Sequence, residues 1–310
     1  MPSVGTRTRR IALLTGVVCS GALCAGLTGP ARPAGAAATT ATTATAARAA
    51  APQRHIAAYA YGSGTRQNLT AYWYTGVPGR RPVLVMVHGG YWTAGSKASW
   101  DSQARWWAAH GFAVVAMNYH YATQAHWATQ RSDVLKALSW VRGHAKALRA
   151  NASKIVLIGS SAGGQMAVSV GAYGCGGCRV RGVVALSPVA NPYSSWKIGH
   201  KQSGTKHKKL ANAAVTLAGC KPRRSHKTCW NRWVDMAARY HASSDDAPML
   251  LYHSQHDLVP ASESKGLASS LHAKGVPATL HVVSGKKHGG GILGLPGIRT
   301  QIQSWINTRV

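Results

Sequence analysis

The sequence predicts an α/β fold, with a mostly parallel, twisted sheet of about eight strands and helices on both faces. Three observations lead there. Short apolar runs without polar alternation recur along the chain, as expected of strands buried on both faces. Segments with helical apolar spacing separate them, which is the order that builds parallel sheets. The 310 residues are 45% hydrophobic, enough for one large core and too few for two α/β domains.

Taken in order, residues 56–61 and 69–74 read as two opening strands bracketing the turn Gly62-Ser63-Gly64. Residues 82–87 (PVLVMV) are a buried strand, and a helical stretch over 100–109 ends at Gly111 before a second buried strand at 112–117. Residues 128–148 are helical, with Val134, Leu135, Leu138, Val141 and Leu148 forming an apolar face. Strands at 155–158, 180–186, 248–252 and 278–283 complete the series, and the last helix covers 298–308. No internal repeat is visible.

The termini and one interruption set the domain organisation. Arg7, Arg9 and Arg10 precede an uncharged apolar run over 11–27, and Ala34-Gly35-Ala36 offers an A-x-A cleavage site, so 1–36 reads as a signal peptide. The competing reading is an uncleaved anchor, but the run falls short of the about 20 apolar residues a span needs. Cleavage would leave no transmembrane anchor and a secreted, extracellular protein. Residues 37–53 are nearly all Ala and Thr, without bulky apolar side chains, and read as a disordered linker. The α/β domain then occupies 54–310. Residues 191–247 break the alternation and read as a basic insertion or lid.

Charge is the unusual property. The chain has 36 Lys+Arg against 7 Asp+Glu, net +29. Loss of residues 1–36 removes Arg7, Arg9, Arg10 and Arg32 and no acid, which lowers +29 by four, to +25. Eleven of the basic residues fall between Asn191 and Tyr240, where Asp235 is the one acid. Such a surface points to an anionic polymer or cell surface as partner, against the plainer reading of a solvated basic face. No nucleic-acid module is recognisable, so nucleic-acid binding would rest on charge alone.

The chemistry is concentrated in four short segments. Gly159-Ser160-Ser161-Ala162-Gly163-Gly164 is a G-x-S-x-G motif between a buried strand and a helical run. A nucleophile there sits on a strained turn, so Gly159 and Gly163 flank it where side chains would collide. The helix start places the Ala162 N–H toward developing negative charge. A glycine-rich turn without catalysis is the bland alternative, and Ser160 is out of frame with the motif. His88-Gly89-Gly90-Tyr91-Trp92 follows the 82–87 strand, and its glycines let backbone N–H groups approach an oxyanion. His88 reads as a loop-supporting residue, with Gly89 beside it.

The acid and base come from the later strands. Asp257 lies just past the strand at 248–252, where sites on such sheets form. Asp245 and Asp246 precede that strand and read as loop or capping residues, while His253 and His256 read as core or loop residues. His288 follows the last strand. Ser161, Asp257 and His288 occur in the chain order of a nucleophile, orienting acid and general base.

Together HGGYW, GSSAGG, HSQHDLVP and KKHGG resemble the esterase/lipase branch of the α/β-hydrolases related to hormone-sensitive lipase and kynurenine formamidase. The resemblance covers about residues 56–308. It implies the α/β-hydrolase fold, hydrolysis of a carboxylic ester or an amide through an acyl-enzyme without cofactor or metal, and an oxyanion hole of Gly90, Tyr91 and Ala162. Many relatives carry a third glycine where Tyr91 stands, and Tyr-Trp is closer to the formamidase group. The substrate expected is a small-molecule or polymer-linked ester. A formamidase-like amide hydrolase and a non-catalytic, polyanion-binding module are the alternatives. The basic insertion departs from the family pattern and leaves substrate class open.

Cys175, Cys178, Cys220 and Cys229 remain after residue 36, and an even number in an exported chain suggests two disulfides among three connectivities. The local pairs Cys175–Cys178 and Cys220–Cys229 are favoured. A zinc site would need more regular spacing, and C-x-x-C here lies in a glycine loop rather than a strand-to-helix turn.

Overall fold

The computed structural model describes Gly29 and residues 51–201 and 204–310. Apart from Gly29, the expected signal peptide lies outside the described residues, as do all but the last three residues of the expected linker. Ala51 and Pro52 are exposed and irregular, and Gln53 already belongs to the first strand.

Eight strands form one sheet: β1 (Gln53–Ala60), β2 (Asn68–Thr75), β3 (Arg81–Val87), β4 (Ala113–Met117), β5 (Ala150–Ser160), β6 (Gly182–Leu186), β7 (Met249–Ser254) and β8 (Ala278–Val283). Their spatial order is β1-β2-β4-β3-β5-β6-β7-β8. The β1–β2 hairpin is antiparallel, as is the β2–β4 pairing, and every pair from β4 and β3 onward to β8 is parallel. Strand β1 starts before residue 56 because its hairpin register runs to Gln53↔Thr75, where His55 Nε2 meets Thr75 Oγ1 at 2.8 Å.

The apolar runs alternate between the two faces of the sheet, as a period of two requires. On β3, Val83, Val85 and Val87 join one core, and Leu84 and Met86 join the other. Helices α1 (Asp101–Ala109) and α9 (Ile298–Asn307) cover the second face. Ile298, Ile302 and Ile306, one helical turn apart, make the buried stripe of α9. The first face is covered by α2 (Thr129–His144), α3 (Ala162–Gly171) and α8 (Ala261–His272). The short α4 (Gly176–Arg179) precedes β6. Helix α2 stops at His144, short of the expected 148. There the imidazole Nδ1 reaches the Trp140 carbonyl at 2.8 Å and the ring stacks on Trp140.

Residues 191–247 lie between β6 and β7 and form α5 (Pro192–Lys201), α6 (Thr205–Ala218), α7 (Lys227–Asp235) and a 3-10 turn, Ala238–His241. Both ends of this insert are fastened. At its start the Asn191 N–H and the Ser195 hydroxyl donate to Glu263 of α8, at 3.0 and 2.7 Å. Toward its end Asp235 accepts from Trp127 Nε1 at 2.6 Å and lies 3.3 Å from Arg131 Nη1. Cys220–Cys229 links the end of α6 to α7, and Cys175–Cys178 closes the loop around α4; these are the favoured local pairs. No helix among the described residues is long and apolar enough to cross a membrane.

Candidate active site

Ser161 is the single residue between β5 and α3, with φ 53° and ψ −115°. That left-handed backbone costs a non-glycine residue roughly 1–3 kcal/mol and persists where its surroundings enforce it. The Ser161 N–H donates to Leu186 O at 2.8 Å, and its carbonyl accepts from Gln165 at 3.0 Å. A Cβ on Gly163 would collide with the Val87 carbonyl, and one on Gly159 with the Gly163 carbonyl. The motif glycines thus let the start of α3 press against the ends of β3 and β5, which presents the Ser161 side chain at the carboxyl edge of the sheet.

Two loops from the same edge reach it. His288 follows β8 and places Nε2 2.9 Å from Ser161 Oγ. Asp257 follows β7, with Oδ1 2.5 Å from His288 Nδ1. A carboxylate accepts, so Nδ1 donates and Nε2 is left to accept the Ser161 hydroxyl proton. The Asp257 side chain is completely buried. Burial pushes its carboxyl up, but His288, the Ser187 hydroxyl and the Val259 N–H outweigh burial and hold it below the ordinary value. A buried carboxylate that stays ionised beside an imidazole can fix its tautomer and stabilise the imidazolium.

The glycine loop after β3 lies directly against this group. A Cβ on Gly89 would come within 3.2 Å of Ser161 Cβ. Gly90 has φ 125°, and Tyr91 and Trp92 follow with φ 56° and 59°. The Gly90 carbonyl accepts from Thr93 and Ala94, closing the turn. Among the described residues nothing accepts the N–H of Gly90, Tyr91 or Ala162, leaving these donors free for an oxyanion. His88 is buried, stacks on Tyr119 and turns Nδ1 to the Gly89 carbonyl at 2.7 Å. Burial pushes its imidazole down to about 4, so it stays neutral. Its backbone carbonyl accepts the Tyr119 hydroxyl at 2.9 Å, and these contacts support the loop from behind.

The other sequence candidates separate clearly. The Ser160 hydroxyl accepts the Gly290 N–H at 2.9 Å, and it is the Ser161 hydroxyl that meets His288. His253 is buried between Val259 O, at 3.0 Å, and Ser264 Oγ, at 2.7 Å. Asp246 closes a turn with Ser243, and Asp245 is exposed. His256 is exposed at the rim of a cavity of about 620 Å³, shared with Tyr91, Thr205, Lys206, Lys286 and His288. Among the described residues no three His, Cys, Asp or Glu side chains gather as a metal ion would need.

One site residue escaped the sequence reading. Ser187, just past β6, has φ 48°, donates its hydroxyl to Asp257 Oδ2 and accepts the Gly289 N–H at 2.8 Å. It therefore joins the acid loop to the histidine loop. Its one available signal was its place at the carboxyl end of a buried strand, and using that signal requires the strand order.

Residues 71–271 match the BD-FAE family, and this span includes Ser161 and Asp257. The chain belongs to the BD-FAE family. It is 26% identical over 233 residues to the probable carboxylic ester hydrolase LipM of Mycobacterium tuberculosis, covering 70% of this chain and 52% of that protein. With esterase LipQ of the same organism it shares 26% over 244 residues, 72% of this chain and 55% of LipQ. The chain therefore spans about half the length of the curated relatives it matches. A truncated carbohydrate esterase from gut microbiota superimposes with a TM-score of 0.70 at 20% identity, covering 83% of this chain and 96% of that one. The α/β-hydrolase fold and kinship with its esterase branch, both expected from the motifs, are borne out.

Proposed function

We propose that this chain is an exported carboxylic ester hydrolase that works through an acyl-enzyme on Ser161. The observation that carries the reading is the unbroken hydrogen-bonded line from Asp257 through His288 to Ser161 Oγ, at 2.5 and 2.9 Å. It ends beside backbone N–H groups that have no other acceptor among the described residues.

In the first half of the reaction His288 Nε2 takes the Ser161 proton while Oγ bonds to the ester carbonyl carbon. The carbonyl oxygen gains the negative charge and is stabilised by the N–H groups of Ala162, Gly90 and Tyr91. His288 then returns the proton to the leaving alcohol as the C–O bond breaks. In the second half water repeats the attack on the acyl-serine, with His288 as base, and releases the acid. Asp257 keeps Nδ1 protonated throughout and offsets the imidazolium charge. No cofactor enters these steps.

Similarity to LipM, a probable carboxylic ester hydrolase, and to LipQ, an esterase, supports ester hydrolysis over the amide alternative. Export is supported by the charge and apolar pattern of residues 1–36 and by two cysteine pairs suited to an oxidising compartment. The test is 4-nitrophenyl acetate in pre-steady state. A burst of nitrophenol equal to enzyme, followed by slower turnover, is expected. Turnover of N-formylkynurenine far above any ester would favour the formamidase reading. Polyanion binding without turnover of either would leave a non-catalytic module.

A further inference from the structure

The first turn of α6 brings basic side chains from the insert to the nucleophile's rim. The cavity beside His288 is lined by Lys206 from α6 and Lys286 from the loop after β8, two segments remote in sequence. Thr205 belongs both to this cavity and to a second one of about 420 Å³, which runs along α6 past Lys208 and Lys209 to Thr216. From the glycine loop Tyr91 lines the first cavity and Thr93 the second, and Lys209 Nζ stands 4.9 Å from the centre of the Tyr91 ring. The two cavities meet at Thr205 and between them carry four lysines, and we treat them as one groove ending at His288.

No acid neutralises them. Asp257 is the one carboxylate lining either cavity, and it is spent on His288 and Ser187. Five of the other acids accept hydrogen bonds elsewhere in the fold: Asp101, Asp133, Asp235, Asp246 and Glu263. Asp245, the last, adjoins α4 through its carbonyl. Like charges held along one concave wall, with low-dielectric protein behind them, raise the local concentration of anions.

Resting on the esterase reading, we infer that the groove binds a polyanionic chain and that the scissile ester is carried on that chain. Successive anionic groups lie against Lys209, Lys208, Lys206 and Lys286, and this register brings the ester carbonyl to Ser161. Carboxylate and phosphate share the chemistry a lysine recognises, since an ammonium is a point charge rather than a planar fork.

The test has a binding arm and a turnover arm. Affinity electrophoresis in polygalacturonate, polyphosphate or neutral dextran compares wild type with Lys206→Gln/Lys208→Gln/Lys209→Gln/Lys286→Gln. A control, Lys136→Gln/Lys146→Gln/Lys265→Gln/Lys274→Gln, removes the same charge elsewhere. The groove variant should lose about tenfold in affinity for one polyanion and the control much less, with dextran binding neither. Which polyanion responds names the anionic group. Equal losses in the two variants, or no binding of either polyanion, would overturn the inference. In the turnover arm, the ratio of kcat/KM for acetylated polygalacturonate to that for acetylated dextran should fall about tenfold in the groove variant alone if carboxylates are read. A ratio that stays unchanged where polygalacturonate binding falls would overturn the placement of the ester. Absence of hydrolysis of every ester would instead defeat the esterase reading, and the binding arm still decides the groove.

Discussion

Ser187 donates its hydroxyl to Asp257 Oδ2, the carboxylate oxygen opposite the one that holds His288. The same oxygen atom of Ser187 accepts the Gly289 N–H, so one side chain bridges the two loops that carry Asp257 and His288. A hydrogen bond to a charged group contributes on the order of 1.5–3 kcal/mol. Ser187→Ala should therefore lower kcat roughly tenfold, since each 1.36 kcal/mol corresponds to a factor of ten in rate. Steady-state kinetics on 4-nitrophenyl acetate checks this, and an unchanged kcat would leave Ser187 a spacer only.

Asp257→Asn should preserve the fold and cost on the order of 10⁴ in turnover, by analogy with other triads, because an amide can favour the wrong histidine tautomer. Asp245→Asn and Asp246→Asn should leave turnover within a few-fold, since neither reaches His288. If either of these is as damaging as Asp257→Asn, the acid has been assigned to the wrong loop.

Glu263 gives a pH dependence of stability. It is buried without a cationic partner, and burial pushes its carboxyl from 4.5 up to about 8. Because the folded pKa lies above the unfolded one, the folded state keeps a proton that the unfolded chain has lost between those values. Its contribution is complete below 4.5, declines as pH rises and is gone above about 8. Glu263→Gln keeps one carbonyl oxygen to accept the Asn191 N–H, its amide can donate to the Ser195 hydroxyl, and it cannot ionise. Urea midpoints at pH 5, 7 and 9 should fall more steeply for wild type than for the variant. Parallel pH curves would show that Glu263 is not buried in its neutral form.

Most of the fold could be read from the chain because its signals are local. The runs PVLVMV and FAVVAM announce strands covered on both faces, and the glycines around Ser161 announce a turn with no room for a Cβ. Order among Ser161, Asp257 and His288 follows from which loop each ends. What the chain conceals is pairing across the sheet. Ser187 meets Asp257 across 70 residues because β6 and β7 are neighbours, and Ser195 meets Glu263 across 68 because the first turns of α5 and α8 touch. Neither pairing leaves a local pattern. The start of β1 was hidden for the same reason, since its register is set by Thr75 on the partner strand.

The central claim is that Ser161 is the nucleophile, and covalent labelling tests it most directly. A fluorophosphonate probe followed by peptide mass mapping should place one adduct on Ser161. Ser161→Ala should give no adduct and lose several orders of magnitude in ester turnover while its urea midpoint stays close to wild type. An adduct on Ser160, or full turnover by Ser161→Ala, would contradict the account.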